Sequence, residues 1–122
     1  MISVVFYRDD DGACPFLEWL DSLPRKAQDK CVVRVERLKE MGHELRRPEA
    51  DYLRDGIYEL RAKHSRINYR ILYFFHERAA VVLTHGIMKQ AAEVPSREID
   101  LAIQRKRQFA SDPRGHTYKE TR

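Results

Sequence analysis

Three strand-like runs lie almost back to back in the second half of the chain, and they limit the available folds more than any other feature. Ile57–Arg61, Asn68–Phe75 and Ala80–Ile87 are rich in β-branched, aromatic and large aliphatic residues. The basic segment AKHSRI joins the first two, and His-Glu-Arg joins the second and third. Links this short are too short for a crossover helix, so the three runs are predicted to pair antiparallel.

Ahead of this meander lie one strand and two helices. Residues 2–7, ISVVFY, read as a strand ended by Asp9-Asp10-Asp11-Gly12. PFLEWL, from Pro15 to Leu20, reads as a short helix stopped by Asp21-Ser22 and Pro24. Pro24 suits the opening of the next helix, because its missing N–H would have no intrahelical partner there. Ala27, Cys31, Val35 and Leu38 then recur at helical spacing, and Gly42 supplies a C-terminal stop. The segment 43–56 is polar and ends in the turn signal Arg54-Asp55-Gly56. After the meander, Pro95-Ser96 opens a last helix with Ile99, Ala102, Ile103 and Phe109 on its apolar side.

The predicted class is therefore α+β, in the order β-α-α-β-β-β-α, with an antiparallel or mixed sheet covered by helices on one face. The expected organisation is a single domain over residues 1–110 and a loose polar tail over 111–122, marked by Pro113 and Gly115.

Charge is polarised along the chain. Residues 1–60 carry 10 basic and 13 acidic side chains, and residues 61–122 carry 13 basic and 6 acidic, a change from −3 to +7. Such asymmetry points to a polyanionic partner for the second half, with a solvated charged face as the plainer alternative. Within it, Arg61, Lys63, Arg66 and Arg70 form a ten-residue window of four basic groups and no acid. No run of ~18 apolar residues marks a membrane span, and the acidic N-terminal segment does not resemble an export signal; the expected location is the cytoplasm. Cys14 and Cys31 are expected as free thiols, and the five histidines have no metal-ligand spacing, so neither metal nor cofactor is expected.

The stretch Leu53–Ala92 resembles the RelE/ParE toxin superfamily, most closely its HigB-like, phage-related branch. The matching residues are Leu53, Gly56, Ile57, Tyr58, Glu59, Leu60 and Arg61, then Tyr69, Arg70, Ile71, Leu72 and Tyr73, then His85, Gly86, Ile87 and Lys89. Pro95 at the start of a helix fits the same pattern. The resemblance implies a RelE-like fold over about 110 residues and a toxin that cuts mRNA in the ribosomal A site. Its expected partner is a small antitoxin of helix-turn-helix type. Some members of the superfamily act on DNA gyrase, so a binder of gyrase, or of the antitoxin alone, is the alternative. A general RNA-binding module is the third reading.

Metal-free RNA cleavage uses the substrate's own 2′-OH against the adjacent phosphate, and needs proton transfer and positive charge at a crowded phosphorane. Arginine suits the charge role, since its planar fork holds two phosphate oxygens and keeps its proton. Arg70 is expected to contact the phosphate, with Arg61, Lys63 and Arg66 holding the RNA backbone. The competing expectation is that these arginines pair with Glu59, Glu77 or other carboxylates. Lys89 and His85 are the candidates for proton transfer. Lys89 equally suits charge screening, and His85 equally suits a hydrogen-bonded place at a strand end. The chain departs from the family at Gln90, where a second lysine is usual, at Ala91, and at Val94-Pro95, where relatives carry a stacking Tyr or His.

Overall fold

A computed structural model describes residues 2–89 and 93–119. Its elements are β1 (Ser3–Phe6), α1 (Pro15–Asp21), α2 (Arg25–Met41), β2 (Ala50–Arg54), β3 (Ile57–His64), β4 (Ile67–His76), β5 (Ala80–Lys89) and α3 (Ser96–Ser111). The strands form one five-stranded sheet in the order β1-β5-β4-β3-β2. β1 runs parallel to β5, and the other pairs are antiparallel. The α+β class, the mixed sheet and the three helices are those expected.

The local signals act where the sequence places them. Pro15 and Pro24 open α1 and α2, and Gly42 ends α2 with a positive φ of 55° that disfavours a side chain. Asp55 and Gly56, both with positive φ, form the tight β2–β3 turn. Two details correct the expected layout. The polar segment before that turn contributes a strand, β2, paired to β3 through Ala50↔Leu60 and Tyr52↔Tyr58. AKHSRI is not a loop: β3 continues to His64, and only Ser65-Arg66, at φ of 50° and 67°, make the turn into β4.

Helices also cover both faces of the sheet rather than one. Phe16 of α1 and Ala27, Cys31 and Leu38 of α2 pack with Leu60, Ile71, Tyr73 and Leu83 on one face. Ile99, Ala102 and Phe109 of α3 pack with Ile57, Leu72, Phe74 and Val82 on the other. Side chains alternate between the faces along a strand, so burial on both sides demands consecutive apolar residues. Ile71–Phe74 supply them in β4 and Val81–Leu83 in β5, all fully buried. Between β4 and β5 the regular alternation is broken where Leu72 faces His85 but Tyr73 faces Leu83, leaving Thr84 as a bulge.

The tail expected to be loose is held down through Tyr118. Tyr7 bridges Thr117, and the Tyr118 N–H donates to the Phe6 carbonyl. Arg8 donates to the Gly115 carbonyl, while the His116 ring stacks on Tyr7 at 5.3 Å and donates from Nδ1 to the Arg8 carbonyl. Its polar composition hides this because the backbone groups of these residues bond to Phe6 and Arg8 at the end of β1.

Candidate nucleic-acid interface

α3 covers only part of its sheet face, and the strand register decides what is left open. Ile57 lies beneath α3, and alternation then brings Glu59, Arg61 and Lys63 to the same face of β3. Two successive rows cross the sheet here: Arg61 opposite Arg70 opposite Ile87, then Lys63 opposite Asn68 opposite Lys89. Four of the six residues singled out from the sequence therefore share one patch. Arg66 is at the exposed tip of the β3–β4 turn beyond it. His85 is one row back, opposite Leu72.

Two carboxylates hold the arginines. Glu59 is 2% exposed, and its Oε2 accepts from Arg61 Nε at 2.7 Å while lying 3.5 Å from Arg70 Nε. Asp51, opposite Glu59 on β2, lies 3.5 Å from Arg61 and accepts from Arg47. The carboxylate pairing weighed as the alternative is thus present at both Arg61 and Arg70. Arg70 is 8% exposed and donates from Nη1 to the Tyr69 carbonyl, whereas its Nε has no hydrogen-bond partner among the described residues. Desolvation lowers the Arg70 pKa, with Glu59 opposing and Arg61 adding to the shift. Lys89 is lowered too, first by desolvation and then by Arg70.

His85 has a different setting. It is 7% exposed, with Nδ1 2.7 Å from Thr84 Oγ1 and Nε2 3.1 Å from Glu98 Oε1. Burial, reinforced by Arg105, pushes its pKa down to about 4. The ring is neutral near pH 7, with the Thr84 hydroxyl donating to Nδ1 and Nε2–H donating to Glu98. Both nitrogens are occupied.

The patch opens into a cleft of about 520 Å³ between β2, β3, the end of β5 and the start of α3. Arg47, Arg54, Arg61 and Lys89 line it against Asp51, Glu59 and Glu93, with Val94 and Ile99 as its apolar wall. Among the described residues, no three His, Cys, Asp or Glu side chains are gathered as a metal ion would need, and no helix is long and apolar enough to cross a membrane. Gln90 and Ala91 lie outside the described residues.

A family model for phage derived protein Gp49-like matches residues 18–107, which span α2, all of β2–β5 and the cleft. The chain belongs to the Gp49-like family. This family is associated with RelE-type, toxin-like proteins. Among curated proteins nothing matches the chain. The match includes the whole basic patch of this Gp49-like protein and ends before its tail.

Sequence reasoning left two contributors out of the site. Asp51 carries no local signal, because Ala50–Arg54 has the composition of a polar connection and becomes a strand only by pairing with β3. For Glu59 the sequence does hold a signal: its place two residues before Arg61, on the same strand face, makes it part of the site as well as a pairing partner.

Proposed function

We propose that this Gp49-like protein is a HigB-like toxin that cuts mRNA on the ribosome, without a metal, through the substrate's own 2′-OH. The carrying observation is the gathering of Arg61, Arg70, Lys63 and Lys89 in two adjacent rows of one sheet face that α3 covers only in part, beside an open cleft. Arg70 and Arg61 offer N–H donors to the two non-bridging phosphate oxygens, where charge builds in the phosphorane. Lys89, its ammonium form disfavoured by burial and by Arg70, takes the 2′-OH proton. The 2′-oxygen bonds to phosphorus, the P–O5′ bond breaks, and the 5′-oxygen leaves with a proton from water. Lys63 and Arg66, both exposed, contact the flanking backbone. His85 holds the start of α3 against β5 through Glu98 and takes no proton in this scheme.

A small helix-turn-helix antitoxin is the proposed partner and the cytoplasm the proposed location. One observation favours a second reading, a binder of gyrase or of the antitoxin alone: Glu59 already occupies the arginines that a phosphate would need.

Induced expression in a bacterial host, wild type beside Arg70→Ala, with 5′-end mapping of cellular message, separates the two. Growth arrest with cuts inside translated codons, lost in a folded Arg70→Ala protein, supports the nuclease. Arrest with intact message supports the binder, and full toxicity of Arg70→Ala removes Arg70 from the site.

A further inference from the structure

The cleft has a neighbour on the far side of the sheet edge. β2 is the last strand of the sheet, and on the α1–α2 face it presents Tyr52 as a 52% exposed ring. That ring is fixed at both ends. Its hydroxyl accepts from the Gly56 N–H at 3.0 Å, and its edge meets Tyr58 at 5.0 Å and 70°. Tyr58 in turn stacks on buried Tyr73 at 5.3 Å and 16°. Beside it lies a depression of about 300 Å³ whose charged rim is Arg46, Arg47 and Asp51. Arg47, Asp51 and Tyr52 line this depression and the basic cleft alike. The two hollows therefore adjoin at the β2 edge.

We infer that Tyr52 is a nucleobase-stacking platform, the second subsite of an RNA strand whose phosphates lie on the Arg61–Lys89 patch. The inference rests on the RNA-cleaving reading and adds the base contact that reading lacks. An exposed aromatic held rigid by its neighbours loses little freedom when a base stacks on it, and any base supplies a π-face. Arg46, in no ion pair among the described residues, supplies the positive charge that draws a phosphate around the edge, beside Arg47, which is paired with Asp51 at 2.6 Å. Along the backbone, Tyr52 lies three residues from Glu49, whose carbonyl accepts from the Arg61 N–H, roughly 10 Å at strand rise, with the Tyr52 ring and the Arg61 guanidinium on opposite faces of the sheet. An RNA strand that joins the two subsites passes around the β2 edge, a path longer than this backbone separation.

Anisotropy titrations of a labelled, 2′-O-methylated single-stranded heptaribonucleotide, which cannot be cut, test the platform with wild type, Tyr52→Ala, Tyr52→Phe and Arg61→Ala. Tyr52→Ala is expected to bind roughly tenfold more weakly with an unchanged salt slope, and Tyr52→Phe to bind like wild type. Arg61→Ala is expected to weaken binding and flatten the salt slope. In an abasic scan, one internal position reproduces the tenfold loss in wild type and costs nothing further in Tyr52→Ala. Unchanged affinity of Tyr52→Ala, or an abasic loss that persists in it, overturns the platform while the Arg61 result leaves the RNA reading standing. If wild type does not bind the oligonucleotide, or Arg61→Ala binds as well as wild type, the RNA reading falls and the platform with it.

Discussion

Arg61 and Arg70 stand opposite one another on β3 and β4 with the Glu59 carboxylate shared between them. Two guanidiniums side by side repel, and Arg70 is also stripped of most of its water. A single buried acid offsets both effects and fixes the two forks relative to the cleft.

Removing that charge alone is therefore expected to be costly. Glu59→Gln keeps the shape and leaves two cations beside a neutral amide, a change expected to cost about 3 kcal/mol of stability. Urea denaturation should show a lower midpoint at unchanged slope. A loss under about 0.5 kcal/mol would mean that the arginines find other partners at no cost.

Lys89 separates chemistry from screening by its pH behaviour. A base must first lose its proton, so cleavage on programmed ribosomes should rise with pH and level off below the ordinary lysine value of 10.5. Lys89→Gln should remove that rising limb. Lys89→Arg should fail to restore it, since arginine keeps its proton; rescue by arginine would assign Lys89 to charge screening.

His85 makes stability depend on mild acidity. Its folded pKa of about 4 lies below the ordinary 6.5, so between those values the unfolded chain binds a proton that the folded one refuses. The stabilisation is fully present above pH 6.5 and is lost as pH falls towards 4, by about 3 kcal/mol in all. Chemical denaturation across that window should show the slope in wild type and a flatter profile in His85→Asn. An identical profile in the variant would place the acid sensitivity elsewhere, for instance with Asp51 and Glu49, whose lowered pKa values act at lower pH.

Gly86 lies under the Trp19 indole, and a Cβ built there collides with the six-membered ring. Gly86→Ala is expected to destabilise by about 2 kcal/mol through overpacking, visible as a lower Tm. In a Trp19→Leu background the same change should cost little, and additive effects would show that the two side chains do not meet.

The three closely linked strands, two proline-opened helices and the apolar stripe of α3 were legible because each rests on a local signal. β2 was not: Ala-Asp-Tyr-Leu-Arg has no apolar run, and its strand character comes from pairing with β3. The position of α3 was within reach, since ILYFF in β4 reports burial on both faces. In the site, the register that sets Arg61 against Arg70 followed once both were placed on neighbouring strands. The depth of Glu59 and the exposure of Tyr52 did not, because packing between elements decides them.

The latch between Arg8, Tyr7 and the 115–118 segment joins residues about a hundred positions apart, as the Arg8–Gly115 and Tyr7–Gln108 bonds record. Closing so long a span costs chain entropy, which the packing of α3 beside Tyr7 reduces by bringing the two segments together. The latch's antiparallel run brings Tyr118 back alongside Phe6. The bonds from Tyr118 to Phe6 and from Arg8 to His116 and Gly115 are separate from the β1–β5 pairing, so releasing the 115–118 segment leaves that pairing in place.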